Sequence, residues 1–255
     1  MSEPNRAIPK TQIDILLEDV SVRYMVPAER LQTFKEYAIN MLKGKMEKRS
    51  FSALEGIDLQ IRAGEIFGVV GRNGAGKSTL LKVISRVLIP SEGRVVTNGL
   101  VYPLLQLSAG FHPELTGREN VFLNGTLLGH TNAEIEERFE EIADFSEIGG
   151  FIDAPVRTYS SGMQARLGFA VASAWQPDIL VLDEVLSVGD VAFQEKCHQR
   201  MRGFRDNGTT TVIVSHSPSL IAGLCERALI LDKGKIIDLD ESGKIAEKYQ
   251  KRMGV

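Results

Sequence analysis

A chain of 255 residues, 43% hydrophobic and 25% charged, is large enough for one substantial core with room for a small insertion. With 30 Lys+Arg against 33 Asp+Glu the net charge is −3, which argues against a nucleic-acid-binding stripe. Cys197 and Cys225 make neither a disulfide framework nor a C-x-x-C metal site, and no apolar run has the length of a signal peptide or a membrane span. A reducing compartment is expected, and any work at a membrane would need spans from another chain.

The polar segment Met1–Lys10 reads as a loose tail. Apolar alternation over residues 13–24 predicts a strand. In the 25–50 insert, Leu31, Phe34, Ala38, Met41 and Leu42 recur at helical spacing, which predicts an amphipathic helix over Arg30–Lys43. Lys43, Lys45, Lys48 and Arg49 follow it. That helix could pack on the core, or it could lie near lipid head groups or a membrane partner. Residues 54–61 alternate as an antiparallel strand, 66–70 read as a buried parallel strand, and a helix follows from Ser78 to about Leu88.

After a turn at Pro90–Gly93, residues 94–97 and the apolar run 100–105 complete the first half. From Leu107 to about Pro177 the character is helical. Thr116-Gly117-Arg118-Glu119 and Thr131-Asn132-Ala133-Glu134 both read as capping boxes, the second opening a helix with Ile135, Phe139 and Ile142 inward. His112 and His130 lack metal-ligand spacing and read as ordinary loop residues. Strands return at 179–182 and 210–214. A hairpin turns at Lys233-Gly234, and Ser242 is expected to cap a last helix through about Lys251.

Three stretches carry chemistry. Gly71-Arg72-Asn73-Gly74-Ala75-Gly76-Lys77-Ser78 matches the phosphate-binding P-loop G-x-x-x-x-G-K-S. Its glycines let backbone N–H groups turn around an anion, Lys77 supplies a charge to β- and γ-phosphates, and the Ser78 hydroxyl can ligate Mg²⁺. Gly71, Asn73, Gly74, Ala75, Gly76, Lys77, Ser78 and Thr79 are therefore the expected nucleotide cradle, at the positive end of a helix dipole. The apolar strand 179–182 ends in Asp183-Glu184. In a P-loop fold the first carboxylate holds the metal and Glu184 is the candidate general base for an attacking water. Ser160-Ser161-Gly162 can cap the helical stretch Gln164–Ala174, which on its own would be an ordinary N-cap.

Taken in order, these stretches resemble the motif set of ATP-binding cassette (ABC) ATPases. Tyr159-Ser160-Ser161-Gly162-Met163 resembles their signature motif, although it departs from the usual Leu-Ser-Gly-Gly-Gln. The resemblance implies a head-to-tail dimer in which Ser160, Ser161 and Gly162 bind the γ-phosphate held by the other subunit's P-loop. It also implies roles for Gln106 as a γ-phosphate and Mg²⁺ sensor, for Ser187-Val188-Gly189-Asp190 as the D-loop, and for His216 as the switch histidine. Tyr24 resembles the adenine-stacking aromatic, with Phe51 as its competitor.

The stretches Ala109–Asn120, Arg157–Met163 and Val188–Asp190 with Phe193–Cys197 look like the ATPase subunit of bacterial polysaccharide exporters, which move lipid-linked O-antigen, capsule or teichoic acid. Gln106 stands where that branch often has a glutamate. The resemblance implies a P-loop α/β fold with a mostly parallel sheet, an antiparallel β subdomain and an inserted helical subdomain, as one domain over 1–255. It further implies ATP and Mg²⁺, a separate transmembrane permease and a peripheral position on the cytoplasmic face of the inner membrane. The Arg30–Lys43 helix would contact the lipid-linked glycan. No nucleic-acid partner is expected. Some O-antigen exporters carry a further carbohydrate-binding domain after the ATPase, and residues 1–255 contain no such segment. The rival readings are an importer ATPase for a small solute and a soluble cassette acting on nucleic acid or ribosomes.

Overall fold

The structure, a computed structural model, describes residues 12–27, 48–104, 110–183 and 190–253. The expected helix Arg30–Lys43, Gln106, Glu184 and the Ser187–Gly189 part of the D-loop lie outside the described residues.

Two sheets organise the chain. The first is three-stranded and antiparallel, in the order β2 (Lys48–Arg62), β1 (Ile13–Pro27), β4 (Glu92–Thr97). The second has six strands. β5 (Val101–Leu104), β6 (Ile179–Asp183), β7 (Thr210–Val214), β3 (Ile66–Val70) and β8 (Arg227–Asp232) run parallel in that order. β9 (Lys235–Glu241) then pairs antiparallel with β8.

The central parallel strands of the second sheet are apolar on both faces because both faces are covered. Their side chains alternate between two cores. Phe67, Val69, Val212, Val214, Leu229 and Leu231 join the antiparallel sheet and α1 (Lys77–Ile84). Ile66, Val70, Leu180, Leu182, Ile213 and Ile230 join the helices on the other side. Those helices are α2 (Gly117–Leu127), α3 (Asn132–Ser146), α4 (Ser161–Ala172), α5 (Val191–Asp206), α6 (Pro218–Leu224) and α7 (Ser242–Met253). Short 3₁₀ turns at Gly149–Asp153 and Val156–Thr158 link α3 to α4.

Several local expectations hold. Thr116 and Thr131 each form a complete capping box, and Ile135, Phe139 and Ile142 are buried. Lys233 and Gly234 turn the β8–β9 hairpin with positive φ at both positions, as a type I′ turn requires.

Others are corrected. α1 ends at Ile84, not near Leu88. Arg86 adopts φ 56°, and the N–H groups of Arg86 and Val87 donate back to the Val83 and Lys82 carbonyls. This is a Schellman stop built on arginine in place of glycine. Ser242 opens α7 but its hydroxyl donates to the Cys225 carbonyl at 2.6 Å. His130 is no ordinary loop residue. It stacks on Trp175 with ring centroids 3.9 Å apart, and its Nε2 lies 2.9 Å from the Tyr102 hydroxyl.

Candidate functional site

The carboxyl ends of parallel strands gather loops at one edge of a sheet, where ligands of such folds bind. Here β3 runs into the P-loop, β6 ends in Asp183, and β7 is followed by His216, on neighbouring strands.

The P-loop is held tightly from below. A Cβ at Gly71 would strike the Leu231 carbonyl, and one at Gly76 would come 2.5 Å from the Ala53 carbonyl oxygen. Gly76 also adopts φ 105°, which a side chain would strain. The Gly234 N–H donates to the Ala75 carbonyl at 2.9 Å. Gly71 and Ala75 are therefore buried floor, and Asn73, Gly74, Gly76, Lys77, Ser78 and Thr79 face a cleft of about 400 Å³.

Lys77 is almost fully buried, and its Nζ donates to the carbonyl oxygens of Gly71 at 2.8 Å and Arg72 at 3.2 Å. A buried ammonium must be paired, and these carbonyls keep it poised at the loop. Ser78 Oγ donates to Asp183 Oδ2 at 3.1 Å. This donor set fits Mg²⁺. A hydroxyl and a carboxylate are hard oxygen ligands, and Mg²⁺ usually takes one or two carboxylates with substrate phosphates and waters. Among the described residues no cluster of three His, Cys, Asp or Glu side chains forms a self-sufficient protein cage.

The cleft is also lined by both aromatic candidates. Tyr24 and Phe51 face each other in the β1–β2 ladder, and both line the cleft beside Ala53.

The signature segment lies elsewhere. Ser160 caps α4, accepting from the Met163 N–H at 3.2 Å, while Ser161 is the first helical residue. Both serines are exposed, and Gly162 is half-buried. None of the three is among the residues lining the P-loop cleft.

Arg166, one and a half turns into α4, is a residue the motifs alone do not single out. It donates to Asp190 Oδ2 at 2.7 Å and Glu147 Oε2 at 2.9 Å, and its guanidinium lies 4.7 Å from the centre of the Phe193 ring. Asp190 in turn caps α5 through the Phe193 N–H at 2.9 Å. That N–H bond, with the Arg166 charge, holds the Asp190 carboxyl below its ordinary range. Glu147 is lowered as well, first by its Lys196 hydrogen bond and then by the Lys196 and Arg166 charges. The helix bearing the signature is thus tied to the end of the segment that carries Glu184. The two thiols play no part: burial pushes Cys197 up to about 12 and Cys225 higher still.

Residues 54–187 match the ABC transporter family. The chain is 46% identical over 216 residues to an O-antigen export system ATP-binding protein, RfbB, of Klebsiella pneumoniae, covering 85% of this chain and 86% of that one. It is 42% identical to the RfbB protein of Myxococcus xanthus, spanning 97% of this chain and 58% of the longer relative. It is also 44% identical to a teichoic acids export ATP-binding protein, TagH, of Lactococcus lactis, over 80% of this chain and 44% of that one. Among solved structures, a dimeric post-hydrolysis state of the ATP-binding cassette MJ0796 bound to ADP and Pi superposes with a TM-score of 0.71 at 24% identity, covering 89% of this chain and 98% of that chain. The chain belongs to the ABC transporter family, as an ATPase cassette similar to those of bacterial polysaccharide exporters.

Proposed function

We propose that this chain is the nucleotide-binding subunit of a polysaccharide exporter. It closes head-to-tail on a second copy around ATP and drives a lipid-linked glycan through a separate transmembrane permease. The observation that carries this reading is that Lys77 and Ser78, the latter bonded to Asp183, line one cleft together with the rings of Tyr24 and Phe51.

In the proposed reaction a water oxygen attacks the γ-phosphorus, the bond to the β-phosphate oxygen breaks, and ADP and phosphate leave. Lys77 exchanges its loop carbonyls for phosphate oxygens, and the P-loop N–H groups cradle the same charge. Ser78, Asp183 and Gln106 would hold Mg²⁺, which would supply further charge neutralisation. Glu184 accepts the proton of the water, and His216 aligns the γ-phosphate with it. Ser160, Ser161 and Gly162 act on the nucleotide of the partner subunit. Their exposure, away from the cleft of their own chain, favours that arrangement.

Two features bear on the membrane. No described helix is long and apolar enough to cross it, and in this reading the spans come from the permease. A second pocket, about 180 Å³, opens between β5, α2 and α4, lined by Leu104, Phe111, Leu127 and Leu128. Leu127 is 69% exposed there, an apolar seat suited to a permease segment. In this reading the chain sits peripherally on the cytoplasmic face of the inner membrane, and the segment Arg30–Lys43, expected from its sequence to be helical, meets the lipid-linked glycan.

A pull-down tests the whole reading. Tagged Glu184→Gln protein, loaded with ATP, is recovered from detergent-solubilised membranes. Co-purification of a polytopic membrane protein with glycolipid is the expected result. A solute permease in its place would make the chain an importer subunit, and recovery with ribosomes or DNA-repair proteins alone would overturn the transport assignment.

A further inference from the structure

Two segments far apart in sequence are stitched together beside the signature. Thr116 and Pro155 form an isolated antiparallel bridge. Around it the Gly117 N–H donates to the Ala154 carbonyl at 3.2 Å, the Val156 N–H to Leu115 at 2.9 Å and the Arg157 N–H to Pro113 at 2.9 Å. Ion pairs between Arg157 and Glu114 at 3.2 Å and between Arg118 and Asp153 at 2.8 Å join the same two segments. The approach to α2 and the approach to α4 are therefore one unit.

Tyr159 closes that unit. It immediately precedes Ser160, and it is buried. Its N–H donates to the Val156 carbonyl at 2.9 Å, and its hydroxyl runs back to donate to the Phe151 carbonyl at 2.5 Å. A buried hydroxyl needs such a partner. Its oxygen stands against Gly117. A Cβ there would strike the Tyr159 hydroxyl and lie 2.9 Å from the Ile152 carbonyl oxygen, so space requires the glycine. Leucine, the usual first residue of the signature, has no group to donate to a carbonyl. The two residues that follow, Ser160 and Ser161, are exposed. They stand between a side chain anchored in the interior and the capped first turn of α4.

We propose that Tyr159 is a positioning residue for the signature. Its hydroxyl, latched to the Phe151 carbonyl beside Gly117, holds Ser160 and Ser161 in the direction in which they meet the γ-phosphate bound by the partner subunit. The inference rests on the head-to-tail dimer proposed above. Groups that meet a ligand are precise only when the residues supporting them are locked by packing and hydrogen bonds.

The test separates the partner's site from the chain's own. The full chain carrying Glu184→Gln is compared with the same chain carrying in addition Tyr159→Phe, Gly117→Ala or both. ATP binding is measured by equilibrium dialysis on dilute, monomeric chain, and ATP-driven dimerisation by sedimentation over a range of protein concentration. Tyr159→Phe leaves the Phe151 carbonyl bonded to the Ala154 N–H at 2.9 Å, so the fold is retained. Its ATP affinity as a monomer is expected to be unchanged, and its dimerisation to weaken about tenfold, near the upper end of what one hydrogen bond supplies. Gly117→Ala, which displaces the hydroxyl, should also weaken dimerisation, and the double variant should lose less than the two single losses combined. A purely structural role would lower the melting temperature and leave the dimerisation constant alone, and that result for Tyr159→Phe would overturn the proposal. A matching loss of ATP affinity in the monomer would overturn it too, since the disturbance would then have reached the P-loop of the same chain. If the Glu184→Gln chain without further change formed no dimer with ATP, the head-to-tail reading would fall and this inference with it.

Discussion

Ser78 Oγ and Asp183 Oδ2 lie 3.1 Å apart, so the first turn of α1 and the end of β6 meet through two oxygens. The contact joins the loop that cradles phosphate to the strand that brings in the carboxylates. Asp183→Asn keeps the shape but removes the charge that a divalent cation needs. Its Mg²⁺-dependent ATP hydrolysis is expected to fall by at least about a hundredfold, given the several kcal/mol that a bound metal contributes. A steady-state assay across a Mg²⁺ titration checks this. A variant with wild-type turnover at low Mg²⁺ would remove Asp183 from the metal site.

Glu184 follows Asp183 directly. Glu184→Gln is expected to lower turnover by at least about a hundredfold, the usual scale for a general base, with ATP binding retained. Single-turnover hydrolysis and equilibrium binding on the same preparation separate the two effects. Retained turnover would end the base assignment.

Arg166 gives a pH prediction. Asp190 and Glu147 have folded-state pKa values below the ordinary 3.8 and 4.5. The stability they contribute is present above those ordinary values and is lost as pH falls through the lowered ones. Arg166→Met removes the shared partner. The variant should melt below the wild type near neutral pH, and the gap should narrow as pH drops below about 4.5. Thermal melts from pH 7 to pH 3 supply the comparison, and a gap independent of pH would show that packing of the Arg166 stem dominates.

Asn120 is fully buried in α2. Its side chain accepts from the His112 N–H at 2.7 Å and donates to the carbonyls of His112, Leu115 and Thr116. Asn120→Leu would take the acceptor from the His112 N–H, while the three carbonyls keep backbone donors from Leu115, Val156 and Asn120. A loss of about 2 kcal/mol in urea unfolding is expected, within the range of about 1–3 kcal/mol for one buried group left unsatisfied.

What could be read from the sequence was what local codes specify. A P-loop needs its glycines and lysine at fixed spacing, and the Thr116 and Thr131 boxes satisfy helix N–H groups within four residues. Both are visible in a short window. The two-face burial of the parallel strands likewise follows from continuous apolar runs. The misses come from longer-range causes. The early stop of α1 depends on Arg86 taking a left-handed conformation and donating to the Thr97 carbonyl across the chain. A β-bulge at Ala53, where Val22 pairs with Leu54 but Arg23 with Ser52, depends on contact with Gly76 and Gly234, so strand alternation alone could not place Phe51 beside Tyr24. His130 and Trp175 meet only because α2, α3 and α4 pack as they do. The expected roles of Gln106, His216 and the signature serines came from family resemblance, because their spacing alone carries no chemistry.

The chain contains a single tryptophan, and Trp175 sits against His130 where Tyr102 of the edge strand β5 meets the helices. Its intrinsic emission is therefore a site-specific optical probe of that seam, with no background from any other indole. Rearrangement of the helices against the sheet as nucleotide binds can be followed on the native chain without a dye.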